Sequence, residues 1–229
     1  MAVGLVIAGL GAIVVGEGGP RALAPAPGRA LVYAALGDST VAGVGASAPA
    51  RSYVGHLHAR LREVFPAAHL VNLGVSGATA ADVVAAQLPR AVALQPCLVT
   101  LSVGPNDITT GRDVRQYARD LDVILGPLAR RTPAVLVVNL IPDLALTPRF
   151  RGGEPEAAVG GRTMAFNAAP SRAARRHGAE VVDLYALSRR EVPRRPDLIA
   201  ADGYHPSDAG YARWAEAMWQ GLRSRIGRD

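Results

Sequence analysis

The feature that most constrains this chain is an alternation of short, unbroken apolar runs with segments of helical spacing. Residues 30–36, 69–73, 98–103, 134–141 and 180–184 read as strands. Residues 52–65, 80–94, 114–130 and 156–177 read as helices; in the first of them Val54, Leu57, Leu61 and Val64 share one side. Residues 207–226 form a closing helix with Ser207 as its N-cap. Pro170 is expected to kink or interrupt its helix, because it has no N–H for the ladder. One helix between successive strands implies parallel pairing with right-handed crossovers. Apolar strands without polar alternation imply a sheet covered on both faces. The expected fold class is therefore α/β, a three-layer α/β/α sandwich with a parallel sheet of about five strands.

Composition removes several function classes. The chain is 49% hydrophobic and 19% charged, which excludes a disordered polypeptide. One cysteine, Cys97, excludes an internal disulfide and any multi-cysteine metal site. His56 and His58 are the only close histidine pair, and i, i+2 on a helix does not put both rings on one face. The net charge is +6, from 25 basic and 19 acidic residues, and every basic residue is arginine. Clusters such as Arg130-Arg131 and Arg189-Arg190 lack interleaved aromatics and read as solvated helix faces. No nucleic-acid partner is expected. Nothing in the row sets an oligomeric state.

Residues 2–16 contain no polar side chain. They are short for a membrane span, which needs about 20 residues, and suit the apolar region of an export signal. No basic residue precedes them, and Pro25 follows the clearest small-x-small site, Ala22-Leu23-Ala24. Glycines at 4, 9, 11 and 16 argue against a core strand. The expectation is an exported protein, secreted or associated with a membrane through this segment. Residues 17–29 read as a Pro/Gly/Ala-rich linker, so the chain divides into residues 1–29 and a domain over 30–229.

In a sheet of this kind, ligands bind where the strands end. The loops there read Gly37-Asp38-Ser39-Thr40, Gly74-Val75-Ser76-Gly77 and Gly104-Pro105-Asn106-Asp107. A fourth, before the closing helix, reads Asp202-Gly203-Tyr204-His205-Pro206. Asp202 and His205 are three apart, which lets a carboxylate in a tight turn accept from the imidazole Nδ1–H. That bond leaves Nε2 free to take a hydroxyl proton. Ser39 supplies a hydroxyl at the right edge of the sheet. Gly74 has no side chain, so its N–H can approach a developing oxyanion, and Asn106 can aim an amide donor at the same oxygen. Asp38 and Asp107 are expected to be structural, holding their loops.

On these blocks the chain resembles the SGNH hydrolases, the GDSL-type esterase/lipase family. Ser39 in Gly-Asp-Ser-Thr matches that family's nucleophile. Gly74 matches its oxyanion glycine, Asn106 its oxyanion asparagine, and Asp202 and His205 its acid and base. The resemblance spans residues 39–211, with the blocks in the family's order. Thr40 stands where the family's name has Leu, and Pro105 removes one backbone donor. The resemblance implies an SGNH/flavodoxin-like fold and a serine esterase acting on a small or lipid-like acyl ester. It implies an oxyanion hole of the Ser39 and Gly74 N–H groups and the Asn106 amide. No metal and no organic cofactor is implied.

Other readings use the same residues differently. Acyl transfer to an alcohol needs the same site, and a non-catalytic binding module can share the fold. Gly43-Val44-Gly45-Ala46-Ser47-Ala48 fits a dinucleotide fingerprint, but Gly43 lies seven residues past Leu36, not in the turn after the strand. The Gly-x-Ser-x-Gly elbow of the α/β-hydrolases is absent around Ser39. Residues 148–161 read as a loop over the site.

Overall fold

The computed structural model describes residues 21–226. The apolar stretch 2–16 lies outside them. Five strands form one all-parallel sheet in the order β2-β1-β3-β4-β5. They are β1 (Val32–Gly37), β2 (His69–Asn72), β3 (Leu98–Ser102), β4 (Val135–Asn139) and β5 (Glu180–Val182). Strand order reverses at β1, so the sheet has its topological switch point there. Ser39 follows that strand directly.

Alternate residues of β1 feed two cores. Tyr33 and Ala35 join Leu57, Leu61, Trp214 and Met218 on one face. Ala34 and Leu36 join Ile108, Leu121, Leu125 and Phe166 on the other. Helices α2 (Tyr53–Val64) and α9 (Asp208–Leu222) cover the first face. The second is covered by α3 (Ala80–Asp82), α4 (Leu88–Ala93), α5 (Pro105–Thr109), α6 (Val114–Arg131) and α7 (Gly153–His177). Two short helices complete the set, α1 (Ser39–Ala42) and α8 (Leu184–Glu191).

Three expectations change. Pro170 does not interrupt α7, which is continuous through it. Buried Phe166, Ala169 and Ala173 tie the helix to the core on both sides of the proline, so the missing N–H is tolerated. The strand expected over 180–184 ends at Val182, and Leu184 instead opens a helix, α8, capped by Asp183, which accepts from Ala186 N–H. The expected linker is partly packed: Leu23 is buried and bridges Ile226. Arg21 donates to Ala129, Thr132 and Ala134 carbonyls at the end of α6, where a helix favours a cation.

Between α3 and α4 the helix widens into a π-turn over Val83–Gln87. Pro89 follows, with no N–H to donate, and the wide turn carries the backbone past it. Gln87, the last residue of that turn, is buried. Its Oε1 accepts from Gly37 N–H at 2.8 Å, and its Nε2 donates to Gly37 O at 2.8 Å. The amide thus clamps the end of β1, two residues before Ser39.

Helix α9 is fastened to the segment after α1. Tyr211 Oη donates to Val44 O at 2.7 Å. Ser47 N–H and Oγ both donate to the Asp208 carboxylate. Tyr53 and Trp214 stack with ring centroids 5.2 Å apart. Gly45 has φ +93°, and a Cβ there would stand 2.5 Å from Pro206 O and 3.0 Å from His205 Cβ. The Gly43–Ala48 stretch that resembled a dinucleotide fingerprint is therefore a packing loop beneath the His205 turn.

Replacing Gln87 by Leu strands the Gly37 N–H without a partner. The expected loss is about 1–3 kcal/mol in urea unfolding. A change within about 0.5 kcal/mol, the range of a neutral surface substitution, contradicts the clamp.

Candidate active site

Ser39 is the first residue of α1. Asp38 caps that helix, its Oδ1 accepting from Thr40 N–H at 2.9 Å and Thr40 Oγ1 at 2.8 Å. Burial pushes the Asp38 carboxyl up to about 6, while the two Thr40 bonds and the nearby His205 pull it down. Its Oδ2 has no partner among the described residues. Asp38 is therefore a costly cap that fixes the nucleophile's backbone. The Ser39 N–H meets no acceptor among the described residues.

His205 sits in a turn pinned by the Ile199–Pro206 bridge. Ala200 N–H donates to His205 O at 2.8 Å, and Ser207 N–H to Leu198 O at 3.0 Å. Asp202 Oδ1 accepts from Tyr204 and His205 N–H, closing the turn on itself. Its Oδ2 is 2.5 Å from His205 Nδ1. Partial burial works to raise the Asp202 carboxyl, but the ring bond and the two N–H bonds outweigh it and hold the group below its ordinary value. On the other side of the ring, Nε2 lies 2.9 Å from Ser39 Oγ. The structure thus brings together Ser39, His205 and Asp202.

The other two expected site residues make no hydrogen bond to Ser39 or His205 among the described residues. Asn106, in α5, donates from Nδ2 to Ala78 O at 3.0 Å, which leaves one amide hydrogen free. Its neighbour Asp107 accepts from Ala80 N–H and Arg112. Burial raises the Asp107 carboxyl, with those partners opposing.

Gly74 already has a partner for its N–H. Its N–H donates to Asn72 Oδ1 at 2.9 Å, so the donor is already engaged. A Cβ at Gly74 would fall 2.6 Å from Val41 Cβ and 2.7 Å from Ala42 N. Gly74 is there to let the loop pass the nucleophile's helix, and Asn72 Nδ2 bonds Val41 O in the same contact. Gly77, three residues on, is exposed, and its N–H meets no acceptor among the described residues. The Asn106–Ala78 bond joins the residue after Gly77 to the Asn106 amide.

Sequence inspection also missed Tyr204 and Arg149. Tyr204 packs edge-on to the His205 ring at 5.0 Å, and the Arg149 guanidinium lies 5.0 Å from the Tyr204 ring centre. Arg149 N–H donates to Gly203 O, so part of the expected loop at 148–161 props the His205 turn. From Gly153 onward that stretch is helix. Among the described residues, no three His, Cys, Asp or Glu side chains converge to hold a metal ion.

Comparison with known proteins gives the site its context. No curated protein matches the chain. Among solved structures, TesA superposes with a TM-score of 0.69 at 25% identity, covering 85% of this chain and 99% of its own. A variant of Axe2, an acetyl xylan esterase from Geobacillus stearothermophilus, has a TM-score of 0.69 at 20% identity, with 87% and 97% covered. The psychrotrophic esterase EstA from Pseudoalteromonas sp. has a TM-score of 0.65 at 17% identity, with 84% and 97% covered. The model of the GDSL-like lipase/acylhydrolase family matches residues 35–213. With most of its length inside that match and its hydroxyl–imidazole contact at the end of β1, the chain belongs to the GDSL-like lipase/acylhydrolase (SGNH hydrolase) family.

Proposed function

We propose that the protein hydrolyses small or lipid-like carboxylic esters in two steps through an acyl-enzyme. The observation that carries this is the continuous relay from Ser39 Oγ through both ring nitrogens of His205 to Asp202. His205 Nε2 takes the Ser39 proton as Oγ attacks the ester carbonyl. Asp202 holds the ring so that Nδ1 keeps its proton and steadies the imidazolium that forms. The ring then protonates the leaving alkoxide. A water, deprotonated by the same nitrogen, releases the acid.

The oxyanion needs donors already in place. Ser39 N–H and the free hydrogen of Asn106 Nδ2 are two of them. For the third we assign Gly77 N–H in preference to Gly74 N–H, because the first lacks an acceptor and the second is held by Asn72. That two of the similar folds are described as esterases supports the ester as substrate.

Asp202→Asn presents an amide N–H to Nδ1 and drives the ring proton toward Ser39. Hydrolysis of p-nitrophenyl butyrate is expected to fall by up to about 10⁴ in kcat, with the thermal midpoint retained. Unchanged turnover contradicts the orienting role. Asn106→Ala is expected to lower kcat by about 10²–10³ with little change in KM. A loss confined to KM shows that Asn106 binds substrate instead. The pH profile gives an independent check. His205 must be neutral to accept the proton, so kcat/KM falls on acidification. Asp202 is a depressed carboxyl, so its bond is present above the ordinary value of 3.8 and is lost only as pH falls below it. Above pH 3.8 Asp38, lifted to about 6, is the site carboxyl that gains a proton, while the Asp202–His205 bond should persist; loss of the bonded Nδ1–H proton resonance above pH 3.8 contradicts the assignment.

A further inference from the structure

Resting on the hydrolytic reading, we infer that the cleft between α8 and α9 receives the acyl chain of the ester and measures its length. A cavity of about 100 Å³ opens beside Ser39 and His205. Leu184 and Leu187 from one face of α8, Trp214 from α9, and Leu144, Leu146 and Leu198 from the connecting segments make its apolar wall. Leu184, Leu187 and Glu191 recur at helical spacing, so one face of α8 looks into the space.

The polar groups define what fits. Asp143 is held by Ala145 N–H and Arg189. Glu191 and Arg213 form a two-pronged pair at 2.6 and 2.9 Å. Two neutral atoms in the lining, Tyr204 Oη and Trp214 Nε1, have no partner among the described residues, and the charged lining groups are paired there. An uncharged, mainly apolar occupant suits such a wall, and a second carboxylate on the chain would find no unpaired cation among the described lining residues.

Length follows from volume and from the position of the ion pair. An apolar cavity of about 150 Å³ takes a benzene, so one of about 100 Å³ takes about four carbons. Arg213 lies five residues past the start of α9, about 7.5 Å along the axis. A longer chain would have to part it from Glu191 and leave charge unpaired.

The acyl group, not the alcohol, belongs there. The alcohol must take a proton from His205 and leave before water enters, which suits an open side of the ring and not a walled cavity. The acyl chain stays through both steps and suits the walled side.

The test is kcat/KM for p-nitrophenyl esters from acetate to dodecanoate, with alkyl acetates as a parallel alcohol series. The acyl series is expected to rise by about fourfold per methylene to an optimum at about four to six carbons. It should then drop by about tenfold or more at ten carbons, as the chain reaches the ion pair. Monoesters of dicarboxylic acids should fall well below their uncharged counterparts. Leu187→Trp is expected to cut the butyrate-to-acetate ratio by about tenfold, about the effect of the two methylenes it displaces. Leu146→Phe fills the space from the other wall and serves if the first variant does not fold. A flat acyl profile, an unchanged ratio in a folded variant, or length dependence confined to the alcohol series overturns the inference. Absence of hydrolysis at every length overturns instead the hydrolytic reading on which it rests.

Discussion

The contact between Ser39 Oγ and His205 Nε2 joins residues 166 positions apart, and most of the fold's particular features serve to hold it. One hydrogen bond, worth about 1 kcal/mol net, cannot order a chain over that distance. Packing does so. The stack of Tyr53 on Trp214, the Tyr211–Val44 hydrogen bond and the two hydrogen bonds from Ser47 to Asp208 seat α9 beside the segment that follows the nucleophile. With α9 fixed, the turn before it is fixed, and the imidazole arrives where the hydroxyl is.

The nucleophile's side is held just as firmly, at some cost. Asp38 is fully buried with one oxygen unpartnered, and burial lifts its carboxyl toward 6. A protein selecting for stability alone has no reason to bury that group. Its use is local: it caps α1 and orders Thr40, which leaves the Ser39 N–H unspent. Gln87 works from the other direction, meeting both backbone groups of Gly37. Two buried side chains from distant parts of the chain thereby fix the three residues Gly37, Asp38 and Ser39.

What was legible in the sequence was what is local or periodic. About five strands, their parallel pairing and the two-sided core follow from apolar runs and helical spacing, and the structure has them. The Asp202–His205 bond was readable because both partners lie in one turn. The engagement of the Gly74 N–H was not readable, because absence of a side chain says nothing about where the N–H goes, and Asn72, two residues earlier, accepts it. Gln87 gave no signal: in the row it is one more polar residue in a helix, and only the π-turn aims it at β1. Arg21 and Leu23 looked like linker because their partners, at the end of α6 and beside Ile226, are remote in sequence.

The central claim is that the hydroxyl beside His205 is the atom that becomes acylated. Reaction of the full chain with a fluorophosphonate, followed by peptide mapping, reads this atom directly. The account predicts one adduct, on Ser39, formed as esterase activity is lost. Loss of activity with the adduct on another residue, or an active protein that never labels at Ser39, contradicts it.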